Sequence, residues 1–204
     1  NIKDRKYRSV VITTHHKPDG DAMGSTLGLC AFLKEFVDDV VVCTPTDYAE
    51  NLFWLPGNAE VLDFEVNPRL VAEKVASADL VFCLDFNRLS RINKLGDLVR
   101  ESNAYKVMID HHLEPEGFDD FRHWNINACA TAELIYDFIV NLINDESFIN
   151  KDVATCLYTG IMTDSGSFRF PNVTSNLHRI VANLIDAGAQ NWKIHQQVYD
   201  NATE

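Results

Sequence analysis

The sequence lacks long apolar runs, paired cysteines and a surplus of basic residues. It contains no run near the ~18 apolar residues that a membrane-spanning helix requires. Its five cysteines are dispersed without a CxxC pair, which excludes a disulfide framework or zinc–thiolate site and favours the cytoplasm. Lysine and arginine number 18 against 30 acidic residues, for a net charge of −12. A protein that grips long nucleic acid is usually basic, so we expect small anionic substrates, bound cations, or basic residues borrowed from another domain.

The residues that are present alternate between short β-rich runs and longer amphipathic runs, and 46% of them are hydrophobic. We predict strands at 9–14, 39–43, 60–64, 80–84 and 105–109. We predict helices at 22–36, 68–78, 89–102, 131–143, 152–162, 174–187 and 192–199. This alternation, with continuous apolar strands, predicts an α/β fold: a doubly wound, mainly parallel sheet with helices on both faces.

Ligands of such folds bind outside the carboxyl ends of the strands, and acidic or imidazole side chains follow three of the predicted strands. A fourth group is the single acid of the segment GIMTDSGSF. In chain order, these side chains are His15, Asp19 and Asp21 after SVVITT, Asp85 after LVFCL, Asp110, His111 and His112 after YKVMI, and Asp164. Each group alone could be a solvated turn or a helix cap, but together on one predicted edge they favour a functional site.

Several carboxylates in one crevice repel each other and raise each other's pKa, and divalent cations remove that problem. Mixed carboxylate and imidazole ligands suit Mn²⁺, Fe²⁺, Co²⁺ or Zn²⁺. With no cysteine in the set, two Mn²⁺ ions are the first choice, and Mg²⁺ or Co²⁺ are alternatives. Two ions roughly 3.5–4 Å apart with a bridging carboxylate are the usual solution for phosphate ester hydrolysis by activated water. Asp85, isolated on a central strand, is placed to be that bridge.

Four segments resemble, in order, the motifs of the DHH phosphoesterase superfamily. HHKPDGDAMGS resembles HxxPDxDAxGS, VFCLD and VMIDHH resemble the second and third motifs, and GIMTDSGSFRF resembles the fourth. The resemblance implies that one ion binds His15, Asp19 and Asp85. It implies a second ion on Asp21, Asp85, His111 and Asp164. It further implies that His112 faces the substrate phosphate as a charge partner or proton donor, and that Asp110 orients a neighbouring imidazole.

The forms PDGDAMGS and TDSGSFRF are most similar to the nanoRNA-degrading, pAp-phosphatase-like subgroup of that superfamily. The resemblance therefore implies hydrolysis of short oligonucleotides or of 3′-phosphoadenosine 5′-phosphate (pAp). Hydrolysis of a cyclic dinucleotide, polyphosphate or pyrophosphate is the alternative within enzymes. A non-catalytic metal- or nucleotide-binding regulatory domain is the alternative of a different class.

Three further residues are candidates for substrate contact, each with an ordinary structural alternative. Arg91 follows Asp85 and could bind phosphate or be a solvated helix arginine. Arg169 in SFRF could face substrate or pair with an acid. Ser25 could contact phosphate or cap the first helix.

The second domain of the superfamily carries a glycine-rich GGGH-type segment, which this sequence lacks. We therefore expect residues 1–188 to be the catalytic domain and 189–204 to begin an interdomain helix. A substrate-binding domain of the DHHA1 type would lie outside this chain and supply basic residues. The sequence leaves open whether the protein forms a homodimer.

Overall fold

A computed structural model describes residues 7–145 and 148–200, and its strands form one sheet in which every neighbouring pair is parallel. The strand order is β3-β2-β1-β4-β5-β6. The strands are β1 (Ser9–Thr14), β2 (Asp39–Thr44), β3 (Leu62–Asp63), β4 (Leu80–Leu84), β5 (Tyr105–Asp110) and β6 (Phe121–Trp124). The helices are α1 (Gly20–Leu33), α2 (Pro68–Ser77), α3 (Leu95–Glu101), α4 (Thr131–Ile143), α5 (Lys151–Asp164), α6 (Ser175–Asp186) and α7 (Asn191–His195).

Alternate residues of the central strands face two separate cores. Val10 and Ile12 of β1 join the larger core, whereas Val11 between them joins the smaller one. Helices α1, α4, α5 and α6 cover the larger core, and α2 and α3 cover the smaller one. The central strands β1 and β4 are buried on both faces, as their unbroken apolar sequences require. The predicted doubly wound α/β fold is confirmed.

Helix α1 is buried almost throughout because it lies between the sheet and α5. The Asp19 side chain caps its start by accepting a hydrogen bond of 3.0 Å from the amide of Ala22. A Cβ atom on Gly24 would lie 2.5 Å from the carbonyl oxygen of Cys156 in α5, so only glycine permits this approach. The close packing of α1 on α5 fixes the position of the first turn of α1 relative to α5.

Several elements differ from the predictions, and the predicted strand 60–64 is reduced to β3, Leu62–Asp63. The first helix begins at Gly20, so Asp21 lies in its first turn rather than in a loop. The predicted helix 89–102 is a 3₁₀ turn (Leu89–Ile92) followed by α3, because Asn93 has φ 50° and ψ −137°, which no helix accommodates. Strand β6 was not predicted: its residues are mostly exposed, and its pairing with β5 makes it an edge strand.

The segment after Gly188 packs on the rest of the chain. The predicted helix 192–199 is α7 followed by a π-helical turn at Gln196–Asp200. Ile194 and Val198 are buried, and the Asn51 side-chain amide donates a 2.9 Å hydrogen bond to the carbonyl of Val198. The predicted boundary at 188 stays a prediction, and 201–204 lie outside the described residues. In the described ranges, no helix combines the length and apolarity needed to cross a membrane.

Candidate metal centre

The predicted ligands converge at the carboxyl ends of β1, β4 and β5, where the first turn of α1 and the end of α5 also lie. Within three groups, one potential ligand atom from each residue lies within 4.8 Å of the others. The groups are His15, Asp19 and Asp85; Asp21, His111 and Asp164; and Asp85, His111 and His112. All six residues predicted as ligands are thus brought into one site, with Asp85 next to residues of both predicted ion sites.

The two oxygens of Asp85 face different histidines. Its Oδ2 lies 3.4 Å from Nε2 of His15, and its Oδ1 lies 3.5 Å from Nε2 of His111. The residue has a φ of 65°, a left-handed conformation that only a few per cent of non-glycine residues adopt. A carboxylate with one oxygen on each side fits the geometry of a bridge between two cations.

The left-handed turn at Asp85 also accommodates Phe86, the next residue in the chain. Phe86 is fully buried in the smaller core and stacks on Phe118 with ring centroids 5.9 Å apart. The bulky side chain therefore points into the core beneath the site.

Backbone carbonyls orient the two histidines that flank Asp85. Nδ1 of His15 lies 2.8 Å from the carbonyl oxygen of His16, and Nδ1 of His111 lies 3.2 Å from that of Ala128. A carbonyl can only accept, so each Nδ1 carries a proton, and Nε2 is the ring atom that faces the carboxylates. This is the arrangement that metal-binding histidines commonly have.

Asp21 is buried and held by the first turn of α4. Its Oδ2 accepts a 2.6 Å hydrogen bond from the amide of Thr131, and its Oδ1 accepts one of 2.9 Å from the amide of Ala132. Sequence reasoning missed these contacts. The segment ATAEL at the start of α4 contained a signal for them. Ala130 at the N-cap has no side-chain acceptor, so the free amides of the first turn of α4 need an acceptor from another part of the chain.

The acids of the site perturb one another's pKa values strongly. Burial, and then repulsion by Asp85 and Asp164, raises the pKa of Asp21 well above its usual value. Burial is the main cause that raises the pKa of Asp164 to about 6. The positive charge of His111 opposes this rise, and repulsion by Asp85 adds to it. Without cations, these carboxylates tend to hold protons.

The pKa values of the two histidines His15 and His111 are raised as well. Burial would lower the pKa of His111, but the hydrogen bond to Asp85 and the charges of the surrounding acids outweigh it and raise it to about 10. Burial would likewise raise the pKa of Asp85, yet His111 and His15 hold it below its usual range. Four carboxylates and two imidazoles in this small volume fit two divalent cations, which would balance the four negative charges.

Asp110 contacts the imidazole of His112. Nδ1 of His112 lies 2.7 Å from Oδ1 of the fully buried Asp110, and 3.7 Å from Oδ1 of Asp85. Trp124 of β6 fixes the adjacent backbone by donating a 2.7 Å hydrogen bond to the carbonyl of His112. Since Nδ1 is engaged, Nε2 of His112 is the atom that remains for a substrate.

The predicted substrate contacts occupy three different settings. Ser25 is fully buried, and its hydroxyl lies 3.2 Å from Oδ1 of Asp21, so it supports that carboxylate and has no exposed surface to offer a substrate. The carbonyl of Arg91 accepts a 2.8 Å hydrogen bond from the amide of His16, which ties the loop after β1 to the 3₁₀ turn. Arg169 is exposed, and its Nε donates to the carbonyl of Gly166 at 2.6 Å.

Known proteins resemble this chain in sequence and in structure. The chain is 32% identical over 182 residues to a bifunctional oligoribonuclease and PAP phosphatase NrnA of Thermus thermophilus, covering 89% of this chain and 51% of that protein. It is 27% identical over 168 residues to the cyclic-di-AMP phosphodiesterase PdeA of Listeria monocytogenes, covering 78% of this chain and 25% of that one. The crystal structure of an exopolyphosphatase-related protein from Bacteroides fragilis superposes with a TM-score of 0.94 at 35% identity, covering 98% of this chain and 58% of the other.

The chain spans about half the length of the Thermus relative. The profile of the DHH family, N-terminal domain, matches residues 9–161, which include every predicted ligand except Asp164 at the end of α5. This match covers most of the chain, and we conclude that the chain belongs to the DHH family.

Proposed function

We propose that this chain is the metal-binding part of a phosphoesterase that hydrolyses short oligonucleotides and pAp. The convergence of five other ligand candidates around Asp85, which has one carboxylate oxygen on each side, carries the proposal. The name of the Thermus relative supports the substrate class. The reaction is a hydrolysis of a phosphate ester by metal-activated water, with no covalent intermediate on the enzyme.

The ligand sets follow the two groups on either side of Asp85. His15, Asp19 and Asp85 would hold one ion, and Asp21, Asp85, His111 and Asp164 would hold the other. When bound, a pair of Mn²⁺ ions supplies Lewis acidity to the phosphate and lowers the pKa of a bound water. The oxygen and nitrogen donors without sulfur suit Mn²⁺, and Mg²⁺ or Co²⁺ are the alternatives to be compared with it.

His112 acts on the substrate from beside the ligands. Asp110 holds its Nδ1 and thereby directs Nε2 outward, where the imidazole can pair with a phosphate oxygen or give a proton to the leaving group. Arg91 and Arg169 are proposed as positive charges for the remaining phosphates. A substrate-binding domain of the DHHA1 type outside this chain would supply the rest of the substrate contacts. The proposed enzyme is cytoplasmic, and a homodimer is compatible with the proposal.

A substrate panel tests the proposal. Release of mononucleotide from di- and trinucleotides, and of phosphate from pAp, is expected to depend on Mn²⁺. Turnover of pyrophosphate or polyphosphate without turnover of these esters would contradict it. Cyclic-di-AMP belongs in the same panel because the Listeria relative is named for that substrate.

Asp85→Asn separates an enzyme from a non-catalytic binding domain. The amide cannot bridge two cations, so both turnover and cation affinity should be lost. Asp186→Asn, an exposed acid at the end of α6, is the matched control and should behave as the wild type. Activity that survives in Asp85→Asn would exclude the bridging role.

A further inference from the structure

Thr131, the first residue of α4, contacts two carboxylates of the metal centre at once. Its amide donates the 2.6 Å hydrogen bond to Oδ2 of Asp21, and its hydroxyl Oγ1 donates one of 2.9 Å to Oδ1 of Asp85. Thr131 is fully buried. Asp21 and Asp85 lie 110 and 46 residues away along the chain, so no local sequence pattern connects these three residues.

The hydroxyl contact restricts the rotation of the Asp85 carboxylate. An ionised carboxylate oxygen has two lone pairs, and the Thr131 hydroxyl engages one of those on Oδ1. Oδ1 stays directed to the side of His111 and Oδ2 to the side of His15, which is the orientation that a bridge requires. A neutral donor adds no charge, so it can fix the carboxylate without competing with a cation electrostatically.

We propose that Thr131 is a positioning residue for the cation pair, and that its hydroxyl sets the orientation in which Asp85 can bridge two ions. The proposal rests on the two-ion site of the proposed function and assigns a residue outside its ligand set. Groups that hydrogen-bond to metal ligands commonly change metal affinity by about 10–100-fold when they are removed. We expect an effect of that size on the second ion to bind, since its site depends on the bridge.

A purely structural role is the competing explanation, because Thr131 also begins α4 and fills space in the core. Two substitutions separate the roles. Thr131→Val keeps the shape and the amide to Asp21 but removes the hydroxyl, whereas Thr131→Ser keeps the hydroxyl and removes the methyl group. Thr26→Val is the matched control, since Thr26 is equally buried and its hydroxyl bonds only to carbonyls of its own helix, those of Ala22 and Met23.

The experiment titrates the metal-free chain with Mn²⁺ alone, by calorimetry and by electron paramagnetic resonance, without substrate. Thr131→Val should bind the second Mn²⁺ about 10-fold or more weakly and lose the exchange-coupled signal of a bridged pair. Thr131→Ser and Thr26→Val should keep wild-type affinity and signal. Because this experiment measures Mn²⁺ binding and no turnover, its result can be interpreted even if the substrate assays fail.

If Thr131→Val binds both Mn²⁺ ions as the wild type does, the proposal is overturned. It is also overturned if Thr131→Ser loses as much affinity for the second Mn²⁺ as Thr131→Val does. If circular dichroism shows that Thr131→Val is unfolded, Thr131→Ser is compared with Thr131→Ala instead. Equal weakening of the second ion in those two variants would overturn the proposal, and weakening in the alanine variant alone would support it. A wild-type chain that binds no pair of ions would overturn both this inference and the proposed function.

Discussion

Asp85 shows at the residue scale how one side chain can serve two sites. It lies directly after β4 in a left-handed conformation, and the turn sends Phe86 into the core while the carboxylate stays between His15 and His111. A left-handed non-glycine residue costs roughly 1–2 kcal/mol. Asp85 keeps this conformation because the core contacts of Phe86 hold its backbone, and His15 and His111 hold its carboxylate.

Cation binding should release protons. The pKa of His111 in the metal-free site is raised to about 10, so its ring is protonated at pH 7.5, and the Nε2 proton must leave before a cation can bind there. We expect net release of about one proton or more per chain. Calorimetry at pH 7.5 in buffers of different ionisation enthalpy measures this number, and a value of zero would show that His111 is not a ligand.

Asp110→Asn should separate catalysis from cation binding. The amide can no longer hold the imidazole of His112 by a charge-assisted hydrogen bond, so kcat on pAp should fall about 10²-fold or more. Mn²⁺ affinity should stay unchanged, because Asp110 contacts His112 and no predicted ligand directly. Asp97→Asn on the exposed face of α3 is the control. An equal loss of Mn²⁺ affinity in Asp110→Asn would contradict the assigned role.

At the scale of elements, the site depends on how closely α1 approaches α5. The two helices carry Asp21 and Asp164, one near the start of α1 and the other at the end of α5. Gly24 and Gly160 lie at their contact, and a Cβ on Gly160 would lie 2.9 Å from Oδ1 of Asp21. Any separation of the helices therefore moves two predicted ligands of the same ion apart.

Gly24→Ala tests this dependence. The new methyl group would lie 2.5 Å from backbone of α5, which cannot move aside alone, so we expect a loss of about 1–3 kcal/mol in the free energy of unfolding. Mn²⁺ affinity should fall with it. Gly28→Ala is the control on the same helix face, because its methyl group meets the flexible end of Leu157 and should cost less. Urea unfolding and Mn²⁺ titration compare the variants, and equal losses in both would contradict the argument.

At the scale of the whole molecule, the chain carries a net charge of −12 and gathers four carboxylates into one site. The fold positions these groups by packing apolar helices on both faces of the sheet, and their mutual repulsion opposes that packing. Bound cations remove the repulsion, so metal loading should contribute to the stability of the entire domain.

Stabilisation by Mn²⁺ should increase with pH. Asp164, with a pKa raised to about 6, is protonated at pH 5 and ionised at pH 7, so protons compete with cations at the lower pH. A ligand present at 100 times its Kd stabilises by about 2.7 kcal/mol. The difference in Tm between Mn²⁺- and EDTA-treated protein should therefore be larger at pH 7 than at pH 5. In Asp164→Asn this pH dependence should be reduced, and an unchanged dependence would exclude Asp164 as the cause.

The sequence by itself determined the parallel sheet and the ends of the strands that carry the predicted ligands. Unbroken apolar strands such as LVFCL must be buried on both faces, and parallel strands bring their carboxyl ends to one edge, so the positions of His15, Asp85 and His111 follow from local pattern. Only the tertiary structure decided the contacts of Asp21 and Asp85 with Thr131. The first amides of α4 have no partner within their own helix and could donate hydrogen bonds to a carboxylate from any part of the chain. The packing of α1 against α4 brings Asp21 to them.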